Sequence, residues 1–383
     1  MVFPLLNKNK HITTPLLLSG LLLILNGCSS SSNPSPTIET LSNDATIITL
    51  GEKIFFDENL SSNSNQSCAS CHDPAAGFAD PGVTTTAPVS EGSVAASFGN
   101  RNAPTSAYVS FSPDFGLTTT PDTSEDGSKY QGGQFLDGRS IDLVDQAKAP
   151  FLNEVEMNNA DEAEVVNKVM NSTYADDFRS VFGSTAFDDT MIAYNNIAEA
   201  LAAFEMSQAM NPFTSKFDAF QLDSVNNPLT ASELRGFELF KDKDTAKCAN
   251  CHVIGTPDTG PALFTNFKYF NIGTPSNPDN PDSTPDLGLG GVINETNEDG
   301  KFKVPTLRNI ALTAPYMHNG VYETLQQVVT HYDIQVANEF IFPEVDRNIA
   351  SELNKGTFEG LNLSEQNYID LIAFMETLTD GYF

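Results

Sequence analysis

Two copies of one five-residue word hold the chemistry of this chain: Cys68-Ala69-Ser70-Cys71-His72 and Cys248-Ala249-Asn250-Cys251-His252. Cys-x-x-Cys-His is the attachment signature of c-type haem, in which two thiols bond to the porphyrin and the following imidazole takes the iron. Cys-x-x-Cys also serves zinc sites and redox dithiols. A zinc ribbon places its two pairs within about 15 to 20 residues of each other. Here the gap is far longer and each pair runs directly into a histidine, so two covalently bound haem c groups are expected. The one other cysteine is Cys28.

The words need helices to hold them, and the sequence supplies a repeat. Gly51-Glu52-Lys53-Ile54-Phe55 precedes the first and Gly236-Phe237-Glu238-Leu239-Phe240 the second, each within a plausible amphipathic helix. One duplicated cytochrome-like unit explains both. Ile197, Leu201 and Phe204 recur at i, i+4 and i+7, so residues 189–210 read as a helix with a buried face. Residues 361–378 read as another, with Ser364 as N-cap and Tyr368, Leu371, Ile372 and Met375 on one face. Strand signals are few. Residues 118–133 and 255–300, rich in Pro, Gly, Asp and Asn, read as long loops. Within them, Gly288-Leu289-Gly290-Gly291 lacks the strand-to-helix context of a nucleotide loop and reads as a turn. Asp122, Ser124, Asp126 and Gly127 imitate the start of an EF-hand, but its twelfth position is Gly133 instead of Glu. The expectation is a mostly α fold of two cytochrome c-like haem domains with long irregular loops, residues 46–214 and 215–383.

Lys8 and Lys10 precede an apolar run from Pro15 to Leu25. That run is too short for a membrane span, which needs about 20 residues, and suits a signal peptide. Leu25-Asn26-Gly27-Cys28 looks like a lipoprotein cleavage box, which would remove residues 1–27 and leave Cys28 lipidated; an ordinary secretory signal with a stray thiol is the alternative. Residues 28–45, rich at first in Ser, Pro and Asn, read as a tether. The globular part is then expected on the periplasmic side, lipid-anchored to a bacterial membrane. A net charge of −30 repels nucleic acid and anionic membrane. It favours a cationic partner, or serves solubility alone.

Further words separate carrier from enzyme. Gln134-Phe135-Leu136-Asp137-Gly138-Arg139, Glu154-Val155-Glu156-Met157, and Val304-Pro305-Thr306-Leu307-Arg308-Asn309 through Ala314-Pro315-Tyr316-Met317-His318-Asn319-Gly320 closely resemble the bacterial dihaem cytochrome c peroxidase superfamily, which includes MauG. The resemblance runs from Leu50 to Asp380. It implies a peroxide-reacting N-terminal haem with Glu156 and Gln146 in its distal pocket and Pro150 lining the same cavity. A buried carboxyl there can move a proton from the inner to the outer oxygen of hydrogen peroxide, promoting loss of water. For Glu156 the structural alternative is a solvated helix charge.

Ordinary peroxidases of this family close the first haem with a second histidine, yet residues 73–102 contain none. By the resemblance, that iron is open at rest. At the second haem the family's usual Met ligand is replaced, by count along residues 324–332, with Tyr332, as in the MauG branch. A phenolate stabilises oxidised iron where a thioether favours the reduced state. His331 is the rival ligand, about 100° away around the helix, and a structural tyrosine is the other alternative. The family's inter-haem Trp is Leu136 here, and the chain has no Trp, so charge must pass Leu136 or use a tyrosine such as Tyr108 or Tyr316. An inter-haem calcium is implied, held by the side chain of Asn102 and the carbonyls of Thr313 and Pro315, hard oxygen donors that suit it. The activity implied is a periplasmic peroxidase taking electrons from a small cytochrome c or cupredoxin. The alternatives are MauG-like oxidation of a partner protein's residues, or a plain dihaem electron carrier.

Overall fold

The computed structural model describes residues 44–118, 128–255, 260–335, 344–345 and 360–383. The expected signal, lipid site and most of the tether, and the EF-hand-like stretch, lie outside the described residues. The first half carries helices α1 (Ala45–Phe55), α2 (Cys68–Cys71), α3 (Leu143–Leu152), α4 (Glu162–Met170), α5 (Ala175–Phe182) and α6 (Thr190–Glu205). The second carries α7 (Lys216–Leu222), α8 (Ala231–Lys241), α9 (Gly288–Ile293), α10 (Leu325–Thr330) and α11 (Glu365–Glu376). Two antiparallel ribbons accompany them, β1 (Gly116–Leu117) with β2 (Tyr130–Gln131), and β3 (Tyr269–Phe270) with β4 (Phe302–Lys303).

The anticipated helices form where their caps permit. Asp189 accepts from the backbone N–H of Met191 and Ile192 at the start of α6. Ser364 and Asn367 close a reciprocal capping box on α11, satisfying donors that a helix start otherwise leaves open. The repeat is physical as well as textual. α1 packs on α6, and α8 packs on α11. At each crossing a glycine lets two backbones touch: a Cβ on Gly51 would lie 1.9 Å from the Ala200 carbonyl oxygen, and one on Gly236 1.8 Å from that of Asp370. Only glycine fits there.

Two apolar cores result. One is built on Leu50, Ile54, Phe151, Phe178 and Ile197, the other on Phe217, Phe240, Phe264, Leu371 and Phe374. A small third cluster joins Ala107 and Tyr108 to Leu263, with Phe78, Phe213 and Phe267 around them. Gly288–Gly291 is the exception to the loop reading, since it opens helix α9 instead of forming a turn. The cause is tertiary: Leu289 N–H donates to the Lys301 carbonyl at 2.9 Å, and a Cβ on Gly290 would strike Asp299. Strands β2 and β3 lie within the long loops and pair with β1 and β4 just outside them, across sequence distances that local patterning does not register.

Candidate haem centres

Both Cys-x-x-Cys-His words lie on a single tight turn, α2 in the first case and a 3₁₀ turn at Cys248–Asn250 in the second. Each places its two thiols and its imidazole together. His72 Nδ1 donates to the Phe78 carbonyl at 3.1 Å and His252 Nδ1 to the Phe264 carbonyl at 2.9 Å. A carbonyl can only accept, so in each ring the proton is on Nδ1 and Nε2 keeps its lone pair. Burial holds both imidazoles neutral, lowering His252 to about 4 and His72 in the same direction. It also pushes the thiols up, Cys71 to about 11 and Cys248 to about 12. Neutral imidazoles with a free Nε2 beside paired thiols are the donor set that covalent haem c requires.

The bracket around each histidine is duplicated in detail. Phe78 and Phe264 both have positive φ, 61° and 58°, an uncommon conformation for such side chains that turns each carbonyl toward its imidazole. Pro104 and Pro305 supply a second backbone partner. Thr105 Oγ1 donates to the Gly77 carbonyl and Thr306 Oγ1 to that of Leu263, both at 2.7 Å. Tyr108 and Asn309 then start equivalent 3₁₀ turns from left-handed conformations.

Around the first word, the Glu154–Met157 segment folds back on the end of α3 through Met157 N–H to the Pro150 carbonyl at 3.2 Å. Ser93 N–H donates to the Glu156 carbonyl at 2.7 Å, which pins the backbone. Glu156 lies close enough to Cys68 and Cys71 for its charge to raise both thiols. Its Oε2 is buried and has no hydrogen-bond partner. Burial raises its pKa against the opposing pull of Arg139 and Asn153. Glu156 is therefore no solvated surface charge. Gln146 sits half-buried on α3, one turn before Pro150. A second carboxyl carries no signal in the sequence: Glu205, at the end of α6, is buried beside Cys68 with Oε2 unpartnered, and burial alone pushes it up to about 8.

The second word opens on a cavity of about 1720 Å³, part of it open to solvent, whose walls include Cys248, Cys251, His252, Tyr332, Met317 and Leu136. Asn102, Thr313 and Pro315 reach the same cavity. Asn102 turns its Nδ2 to the Pro88 carbonyl at 2.9 Å. Tyr332 sits in a π-helical turn, His331–Gln335, that extends α10, a distortion often found at functional positions. Burial first, then the thiols of Cys251 and Cys248, hold its phenol well above the ordinary value. His331 is fully buried, with Nε2 3.0 Å from the Ile272 carbonyl and Nδ1 3.1 Å from the Tyr322 hydroxyl. Lys303, also in the wall, is a further residue that sequence reasoning misses. Burial lowers it to about 7, and it donates to the Gly133 carbonyl.

Several residues of the marker words are structural. Arg308 grips both carboxylate oxygens of Asp218 at 2.5 and 2.7 Å. Arg101 bridges Asp137 and Asp286, and Arg139 also pairs with Asp137. His318 pairs with Glu344 at 2.9 Å and stacks on Phe302.

A mostly helical chain with two thiol–imidazole centres, one facing a buried carboxyl and the other a buried phenol, has the makings of a dihaem redox protein. The sequence family described as di-haem cytochrome c peroxidase matches residues 45–226. The methylamine utilization protein MauG of Paracoccus denitrificans is 37% identical over 88% of this chain and 89% of its own length. The cytochrome c551 peroxidase of Nitrosomonas europaea is 32% identical over 85% and 84%. The crystal structure of the diheme peroxidase BthA from Burkholderia thailandensis superposes with a TM-score of 0.78 at 30% identity, covering 91% of this chain and 89% of that one. The chain belongs to the dihaem cytochrome c peroxidase/MauG superfamily. It is a haem peroxidase or oxidoreductase of two haem c groups.

Proposed function

We propose that hydrogen peroxide is consumed at the N-terminal haem, held by Cys68, Cys71 and His72, and that electrons enter through the C-terminal haem, held by Cys248, Cys251, His252 and Tyr332. The observation that supports this best is the unpartnered, buried Oε2 of Glu156 beside the first pair of thiols. A buried polar atom without a partner costs about 1–3 kcal/mol, which is tolerable where the ligand supplies the missing bond. A haem held by Cys68, Cys71 and His72 would supply the iron that binds peroxide and the electrons for breaking the O–O bond. The rest is proton work. Glu156 accepts the proton of the inner peroxide oxygen and returns it to the outer one, which leaves as water. Burial raises the carboxyl's affinity for that proton, the direction needed for transfer near neutral pH. Gln146 and Pro150, one turn apart on α3, line the same pocket and orient the peroxide.

Residues 46–214 and 215–383 act as the two haem domains, with calcium held between them by Asn102, Thr313 and Pro315. The chain works on the periplasmic side, lipid-anchored through Cys28; among the described residues no helix is long and apolar enough to cross a membrane. Its donor is a small cytochrome c or cupredoxin. A second reading, oxidation of side chains on a partner protein, is favoured by Tyr332, whose phenol oxygen suits storage of an oxidising equivalent better than entry of a low-energy electron. The test is the resting oxidised holoprotein. One high-spin haem, reacting with peroxide without a reductant, is expected from the absence of histidine in residues 73–102. Two low-spin haems and no reaction would make the protein an electron carrier. Turnover with reduced cytochrome c then separates the peroxidase from the partner-oxidising reading.

A further inference from the structure

We infer that Tyr108 is the redox-active side chain between the two haem sites, giving one electron to an oxidised haem and its phenolic proton to Asp380. The inference rests on the reading of His72 and His252 as iron ligands.

Position comes first. Tyr108 is 1% exposed and belongs to the cluster that holds Phe78 and Leu263. Phe78 accepts the Nδ1 proton of His72, and Leu263 is bonded to Phe264, which accepts that of His252. From either imidazole, one hydrogen bond and a short length of backbone lead to the side chains packed around this phenol.

Chemistry then selects Tyr108 among the tyrosines. A phenol that loses an electron but keeps its proton becomes a cation. The Arg308 guanidinium, 5.3 Å from the Tyr108 ring centroid and 4.7 Å from that of Phe213, opposes a positive charge there. The electron must therefore leave together with the proton, which requires a base at hydrogen-bond distance. Asp380 Oδ2 lies 2.8 Å from the Tyr108 hydroxyl. Asn309 Nδ2 and Thr214 N–H hold that carboxylate in place. Tyr316, the other candidate from the sequence, donates to the Ile310 carbonyl at 3.0 Å, which is no base at neutral pH. Tyr130, Tyr174 and Tyr368 do have carboxylates, Glu295, Asp57 and Asp333, but Tyr174 and Tyr368 each belong to one core alone and Tyr130 to none of the apolar clusters.

The balance closes. Tyr108 becomes a neutral phenoxyl, Asp380 a carboxylic acid, and one of the two electrons that each peroxide requires reaches the oxidised haem. Reduction from the second haem reverses both transfers. Asp380 also lines a surface cleft with Lys216, Glu233 and Tyr382, so its proton can exchange with water.

The experiment uses holoprotein with both haems attached, oxidised either by hydrogen peroxide or by photogenerated tris(bipyridine)ruthenium(III), with rapid freezing and EPR. A tyrosyl radical is expected in wild type and in Tyr174→Phe. It should vanish in Tyr108→Phe, which keeps the ring packed on Phe213, and fall at least tenfold in Asp380→Asn, which keeps a hydrogen-bond acceptor but no base. Haem content and melting temperature of each variant verify folding. The same radical in Tyr108→Phe, or none in wild type with either oxidant, overturns the assignment. Failure of the haems to react with peroxide, while the ruthenium oxidant still yields the Tyr108 radical, overturns the proposed function and leaves Tyr108 supported.

Discussion

Tyr322 donates its hydroxyl to Nδ1 of His331 across 3.1 Å, and that bond uses the last lone pair the imidazole has. The other nitrogen already gives its proton to the Ile272 carbonyl. The neighbour of His331, Tyr332, is buried near the thiols of the second centre, and in the proposed function it is the residue that holds that iron. Tyr332→Met is therefore expected to raise the potential of the C-terminal haem by on the order of 10² mV, since a neutral thioether replaces a charge-donating phenolate. Potentiometric titration with optical detection reads the shift. An unmoved potential would place Tyr332 off the iron.

Glu156→Gln keeps shape and hydrogen-bonding capacity but removes the base. The rate of the peroxide step, followed by stopped-flow absorbance, should fall about 10²- to 10⁴-fold with haem content unchanged. Because burial raises the Glu156 pKa, the wild-type rate should decline as pH falls through a value above the ordinary carboxylate range. The variant's profile should be flat there. Equal rates for the two proteins would remove Glu156 from the reaction.

Glu205 gives a stability prediction whose sign follows from linkage. Its native pKa of about 8 stands above the ordinary 4.5, so between those values the folded protein keeps a proton that the unfolded chain releases. Stability from this group is complete below pH 4.5 and is lost as pH rises toward 8, by roughly 1.4 kcal/mol per pH unit. Glu205→Gln should abolish that slope and melt higher than wild type at pH 8. Denaturant titrations at several pH values measure it, and parallel slopes in the two proteins would contradict it.

The helix crossings should tolerate no side chain. Gly236→Ala forces a methyl into the Asp370 carbonyl, with an expected loss of about 1–3 kcal/mol or more from overpacking. Gly51→Ala should behave alike against Ala200. Gly99, where a methyl would meet no atom within 4 Å, serves as the control and should change stability by about 0.5 kcal/mol at most. Thermal melts of the three variants, haem loaded, decide the point.

Local chemistry was legible in the chain. The two haem words, the Ser364 cap and the repeated glycine-bearing helices are all written in short windows, because thiol spacing, caps and i, i+4 faces are properties of neighbours. What escaped depends on distant segments. Gly288–Gly291 has poor helix propensity and folds into α9 only because Lys301 and Asp299 receive it. Glu205 reads as an ordinary polar residue until the fold buries it near Cys68, far away in sequence. The left-handed Phe78 and Phe264 carry no signal in their residue type, yet their carbonyls set the proton position on both histidines.

Both proximal imidazoles hang from main-chain oxygens, not from exchangeable side chains. Point mutation can hardly alter that half of either centre, since every residue type brings the same carbonyl. Variation is thereby channelled to the side chains around each site, where the buried carboxyls Glu156 and Glu205 lie near the first pair of thiols and the Tyr332 phenol near the second. A gene that copied one haem unit could thus let the two sites diverge by single replacements, with the inherited mounting left intact.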